Sequence, residues 1–187
     1  MPEVFVKGQS LRQTVEVLRE IFGEDATTRV IARLPLEFRR ACEANGVLTS
    51  GWYPVGWAVE IYRATAIVLP EVNDLPERVA RRGVEHDMKG IYGFLARFLS
   101  PEFCIRQAPR ILGTYFKGPT IGTEILGRGH AELYFAHCDG FSRPLWRDVL
   151  AGACRIFEQA GAKNVQIRFA DGGRDGDTQA RVVVRWD

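Results

Sequence analysis

The chain has 187 residues, 46% of them hydrophobic and 26% charged, with a formal net charge of +2. Those values fit one domain, residues 1–187, with a sizeable core, and exclude a disordered chain. The near-neutral charge gives no electrostatic footprint for nucleic acid, and no apolar run approaches the ~20 residues that cross a bilayer.

The opening Met1-Pro-Glu-Val-Phe-Val-Lys7 lacks the basic start and apolar run of a signal peptide. Cys42, Cys104, Cys138 and Cys154 form no Cys-x-x-Cys pair. Together these predict a reduced, cytoplasmic protein with buried thiols.

Leu11, Val15, Leu18 and Phe22 recur at helical spacing after Gly8-Gln-Ser10 and predict a short amphipathic helix ended at Gly23. Val30, Ile31 and Leu34 add a helical turn or two before Pro35. Leu36 to Ala44 reads as a helix closed by Asn45-Gly46. Trp52-Tyr-Pro-Val-Gly-Trp57 is an aromatic-rich entry to a helix through Val59, Tyr62, Ala66 and Leu69, stopped by Pro70. Leu75-Pro76 opens the next helix, with Gly83 a point of interruption. Ile91 to Leu99 is apolar on nearly every side, which predicts a buried core helix. Ser100 caps a further helix that carries Phe103 and Ile105 and ends before Pro109.

From Leu112 the period changes. Leu112–Phe116 and Ile121–Leu126 read as strands, Gly127-Arg-Gly129 as a tight turn, and His130–Cys138 as the returning strand. Pro144–Ala160 then carries an apolar stripe of Leu145, Val149, Ala153, Ile156 and Ala160, capped by Ser142 and stopped by Gly161. Val165, Ile167 and Phe169 alternate with polar residues, and Ala180, Val182, Val184 and Trp186 make a second alternating row. The fold class is therefore α/β of the α+β kind: a helical half over about 1–110, then an antiparallel sheet over about 111–187 in β-β-β-α-β-β order.

Candidate chemistry is sparse. His137-Cys138-Asp139 contains the types of a thiolate nucleophile, but strand neighbours point to opposite faces, so a strand end packed in the core is the stronger reading. His130 and His137 fall on opposite faces for the same reason, and no spacing matches a zinc motif; no metal site is predicted. Asp171, Asp175 and Asp177 lie in a hairpin turn without the later glutamate of an EF-hand loop. Arg168, Arg181 and Arg185 align on one sheet face and are candidates for an anion or an acidic partner. Trp52, Tyr53, Trp57, Tyr92, Phe94 and Phe98 are candidates to wall an apolar pocket, with core packing as the competing role. No dinucleotide fingerprint, P-loop, nucleophile elbow or kinase signature is present. No catalytic residue is assigned, and the reading leans away from an enzyme.

The C-terminal pattern, Ala160-Gly-Ala162, a strand, Gly176-Asp177 and Ala180-Arg-Val-Val-Val-Arg-Trp186, resembles the ending of 4-vinyl-reductase-type domains. These share a fold with haem-based nitric-oxide-binding (H-NOX) domains and TRAPP subunits of Golgi transport. Separately, Leu34-Pro35, Trp52-Tyr53-Pro54, Phe116 and Gly122 resemble a family of short myxobacterial proteins. The first resemblance implies a signalling, ligand-sensing or adaptor domain that works as a homodimer or heterodimer through its helices. It sets Leu99 where the family's haem-ligating histidine stands. Tyr134-Phe-Ala-His-Cys138 falls where a Tyr-x-Ser-x-Arg propionate clamp belongs, with Tyr134 matching and Ala136 and Cys138 not. The resulting expectation is no cofactor, haem included, and a small apolar molecule or protein partner bound instead, with Leu99 and Tyr134 among the pocket candidates. The alternative is an enzyme acting on a tetrapyrrole-like or other apolar substrate through Cys138 and His137.

Overall fold

The computed structural model describes residues 3–44, 46–87 and 100–187. A helical first half and a sheet-rich second half share one core, as the change of period at the middle of the chain predicts.

In the first half, α1 (Gly8–Ile31) carries a break at Gly23, whose φ of 83° and ψ of 172° leave helical space. The expected stop at Gly23 is thus real, but helix resumes at once on its far side. After it come α2 (Leu36–Glu43), α3 (Gly56–Val68) and α4 (Leu75–Asp87). Helix α4 runs through Gly83 without interruption. The predicted core helix at 91–99 lies outside the described residues. Among those residues, no helix is long and apolar enough to cross a membrane.

Helix α5 (Pro101–Tyr115) begins as expected, with Ser100 Oγ accepting from the Phe103 amide at 3.2 Å and Pro101 in the first turn. It does not end before Pro109. The helix absorbs that proline and converts the predicted strand at Leu112–Tyr115 into its last turn. Cys104, Ala108, Leu112 and Tyr115 share one face at i, i+4, i+8 and i+11, and burying that row outweighs the amide bond that proline forfeits.

A four-stranded antiparallel sheet follows, in spatial order β4 (Thr120–Gly127), β5 (His130–Ala136), β7 (Ala180–Arg185) and β6 (Gln166–Gly172). Helix α6 (Arg143–Gln159) enters between β5 and β6. A second, small sheet escaped the sequence reading: β1 (Phe5–Lys7) pairs with β2 (Trp52–Pro54) on one side and β3 (Phe116–Lys117) on the other. Strands of two or three residues are too short to show alternation. The predicted β-β-β-α-β-β order thus keeps its last four strands and the helix among them, with the first strand reduced to two residues and moved to the small sheet.

The large sheet buries one face. Ala131, Leu133, Phe135, Val182 and Val184 point to the core, and α6 lies beneath them. Trp146 of α6 is fully buried, with ring centroids 4.8 Å from Phe141, 5.6 Å from Phe135 and 5.9 Å from Phe169. At the tight turn between β4 and β5, Gly129 has φ 70°, and an added Cβ would run into the Trp186 carbonyl oxygen, so glycine is required there. Helix α6 is tied to α4 by charge: Arg147 meets Glu77 through Nε at 2.7 Å and Nη2 at 2.8 Å, Arg81 meets Glu158 at 2.9 Å, and Arg155 meets Glu85 at 3.0 Å. These pairs are part exposed and fix orientation more than they stabilise.

Candidate functional site

Helices α1, α3, α4 and α5 form one wall of a cavity, and α6 with the inner face of β4 and β5 forms the other. Its volume is about 170 Å³. That exceeds the ~150 Å³ of an engineered apolar cavity that stays dry and takes up benzene or xenon. Leu11, Val79, Ile111, Leu133, Phe135 and Ile156 represent its walls, and their apolar atoms dominate. The hydroxyl of Thr14 is satisfied within its own helix, donating to the Ser10 carbonyl at 2.9 Å.

Two polar groups interrupt this lining. At the C-terminal end of α4, Asp87 Oδ2 accepts from Tyr115 Oη at 2.6 Å, while its Oδ1 accepts from Gln9 Nε2 at 3.0 Å. Gln13 Nε2 donates to the Gly83 carbonyl at 3.0 Å from the same side. Burial, and then the bond to Asp87, push the Tyr115 phenol well up. Every member of this cluster has a partner.

The second group differs. Tyr62 of α3 is 5% exposed, and its hydroxyl is buried with no hydrogen-bond partner. Beside it lies the carboxyl of Asp148 on α6, near enough to be felt but outside hydrogen-bond geometry. Burial raises Asp148 to about 7, with the Glu77 charge adding to the rise and Tyr62 opposing it. Tyr62 is pushed far up, by burial first and then by Asp148. Glu77 and Asp87 stand ten residues apart on α4, roughly 15 Å along its axis, so the two polar groups belong to different ends of the cavity.

The residues picked out from sequence lie mostly elsewhere. Trp57 stacks on Phe38 at 4.3 Å and on Tyr53 at 5.0 Å, closing α2 onto α3 and the small sheet. Trp52 sits between the ammonium groups of Lys7 and Lys117, each 4.4 Å from its ring. None of the three lines the cavity; aromatic residues near a helix start have served packing, the competing role. Tyr92, Phe94, Phe98 and Leu99 lie outside the described residues. Tyr134 is a further correction: it projects from the outer face of β5, its hydroxyl bonded to Glu132 and Glu124. Its neighbours Leu133 and Phe135 point to the cavity instead, as strand alternation requires.

Arg168, Arg181 and Arg185 do share the outer sheet face, by register with Val183, Tyr134 and His130. Glu132 and Glu124 share that face too, and Glu132 pairs with Arg181 at 3.7 Å, so the face is of mixed charge. His137 is exposed in left-handed backbone with φ 59°, one residue past the end of β5. Cys138 is fully buried, and burial followed by the nearby Asp139 pushes its thiol to about 12. Such a thiol carries almost no thiolate at neutral pH. In the turn after β6, Asp175 accepts from the Arg143 amide at 2.7 Å and Asp177 from the Arg174 amide at 2.8 Å, so these carboxylates serve the backbone.

The cavity residues that sequence reasoning missed left one usable trace. Asp148 falls three residues after Leu145 and four before Gly152, inside the apolar stripe of α6, where a carboxylate is out of place. Tyr115 was hidden by the strand reading, and Tyr62 by its place in an ordinary amphipathic row.

No family model and no curated protein matches the chain. Solved structures do. An Fe(II) unliganded H-NOX protein from K. algicida superposes with a TM-score of 0.71 at 14% identity, covering 97% of this chain and 96% of that one. An oxygen-binding H-NOX domain related to soluble guanylate cyclases, solved as its oxygen complex, gives 0.65 at 12%, covering 97% and 95%. A structure from a study of heme distortion in the H-NOX family gives 0.63 at 12%, again covering 97% and 95%. At these identities the likeness shows the fold, and the chain has the H-NOX fold.

This corrects the expectation of no cofactor. The solved neighbours are H-NOX domains, described by their iron state, their oxygen complex and their heme. Of the two places on which that expectation stands, Leu99 lies outside the described residues and Tyr134 projects from the outer sheet face.

Proposed function

We propose that this H-NOX-fold chain is a ligand-sensing domain whose cavity takes an apolar ring ligand, with haem the first candidate. The observation that carries the reading is the cavity itself, apolar on nearly all sides and set between the two halves of the fold, where an occupant would contact both. The lining suits haem in chemistry. Its walls are apolar, as the faces of a macrocycle are, and Cys104, Tyr62 and Tyr115 would offer sulfur and phenol oxygens, atom types that can ligate haem iron. Bound there, haem would supply an iron centre able to take a diatomic gas. Cys104 is raised by burial and both phenols are raised further, so each holds its proton and coordination would release one. A macrocycle would also need α4 and α5 to part from the sheet, since the cavity is of single-ring size.

The helical surfaces expected to pair chains complete the proposal, as a dimer that reports occupancy to a partner. Hemin titration followed by absorbance, with toluene titration in parallel, tests the ligand reading. A saturable Soret band or saturable toluene binding supports it. Absence of both overturns it. Native mass spectrometry of the same sample reads the oligomer.

A further inference from the structure

The polar pair at the α3–α6 end of the cavity has features that packing does not account for. The Tyr62 hydroxyl is buried and unpartnered, whereas the lining hydroxyls of Thr14 and Tyr115 both find acceptors. Among the described residues, the Asp148 carboxyl beside it has no cation paired with it. The lining contains no Lys, Arg or His among the described residues. The adjacent cation on α6, Arg147, is committed to both oxygens of Glu77 and to the Asn73 carbonyl at 2.8 Å. An unmatched buried hydroxyl costs stability, and the half-buried Asp148 carboxyl beside it adds to that cost at one spot facing the cavity.

The sign of the surrounding charge fixes what would relieve it. Asp148 faces Tyr62 on α3 and Glu77 on α4; from α4 and α5 the remaining titratable groups of the lining are Asp87, Cys104 and Tyr115. Helix α1 and strands β4 and β5 contribute none. Among the described residues, every ionisable group facing the space is therefore acidic. A carboxylate or phosphate there would be repelled, whereas a donor bearing positive charge would be held.

From this placement we propose that Tyr62 and Asp148 form the recognition end of the cavity, selecting a ring ligand that bears an ammonium or other cationic N–H group. The inference rests on the cavity being a ligand site and narrows its occupant to a cationic ring ligand, since this end would repel the propionates of haem. In the bound state the N–H donates to the Asp148 carboxylate, and Tyr62 gains the acceptor or donor it lacks in the free protein. Because Asp148 changes charge near neutrality, cation binding strengthens as pH rises from below 7 to above it.

Three probes of one shape separate the possibilities in the full-length chain: benzylamine, toluene and benzoate, each titrated calorimetrically. Benzylamine is expected to bind about tenfold or more tighter than either of the others, the margin of a charge-assisted bond in a dry site. Asp148→Asn should remove that margin while leaving toluene binding intact, which also shows that the variant is folded. Toluene binding as tightly as benzylamine in the native chain overturns the inference whether or not the variant folds, and leaves the proposed ligand site standing. Binding of benzylamine unchanged by Asp148→Asn overturns it as well. If no probe binds and hemin does not bind, the ligand-site reading itself is lost, and the inference with it.

Discussion

Replacing Asp148 by asparagine should make the protein's stability less dependent on pH, because it removes a half-buried acid without changing shape. The carboxyl stands at about 7 in the folded chain against an ordinary 3.8. The folded chain thus holds a proton across a window in which the unfolded chain has released it. Folding is favoured by this group below about pH 4, loses that support as pH rises, and levels off above about pH 7. A difference of about three pH units at ~1.4 kcal/mol each amounts to roughly 4 kcal/mol over the full window. Between about pH 5 and pH 8 the share is up to ~3 kcal/mol, since two of the three units fall there. Urea unfolding followed by tryptophan fluorescence at those two values measures it directly. The native chain should lose that amount relative to Asp148→Asn as pH rises, other groups being common to both. Parallel pH dependence in the two proteins would refute the burial argument and, with it, the picture of an uncompensated acid in the cavity.

Tyr62→Phe deletes a buried hydroxyl that has no partner, so thermal unfolding should show the ligand-free protein stabilised by about 1 kcal/mol rather than weakened. A clear loss would mean that the hydroxyl is bonded. Cys138, held at about 12, should react with iodoacetamide at about pH 8 roughly a thousandfold more slowly than a free cysteine. Labelling within about tenfold of the free thiol would revive the nucleophile reading. Trp146→Ala removes the largest fully buried side chain of the core and should cost ~3–5 kcal/mol in denaturant unfolding. A loss under about 1 kcal/mol would contradict the packing of α6 beneath the sheet.

Periodicity made the frame legible. The stripe on α6, its Ser142 cap and the alternating rows of β6 and β7 are long enough for their periods to stand out, and the structure forms each of them. Two failures share a cause. Pro109 reads as a helix stop, yet the buried row from Cys104 to Tyr115 carries α5 through it, because tertiary burial overrides a local signal. The strands of the small sheet form through partners 45 or more residues apart in the chain, which no local window contains. The site was less legible still. Aromatic richness drew attention to Trp52, Tyr53 and Trp57, which stack on one another or on their neighbours, whereas the cavity is lined mostly by small and aliphatic residues drawn from nine separate elements. A cavity is the space that packing leaves, and residue types do not announce it. Asp148 was the exception, a charge in an apolar stripe.

The most direct test of the ligand-site account is uptake measured with and without the cavity. Ala108 lines it from α5, so Ala108→Phe should fill the space while keeping the helix. Hemin, toluene and benzylamine should each be titrated into the native chain and this variant. The account predicts saturable binding of at least one of them to the native chain and its loss in the filled variant. Equal behaviour of the two proteins, whether both bind or neither does, would contradict it.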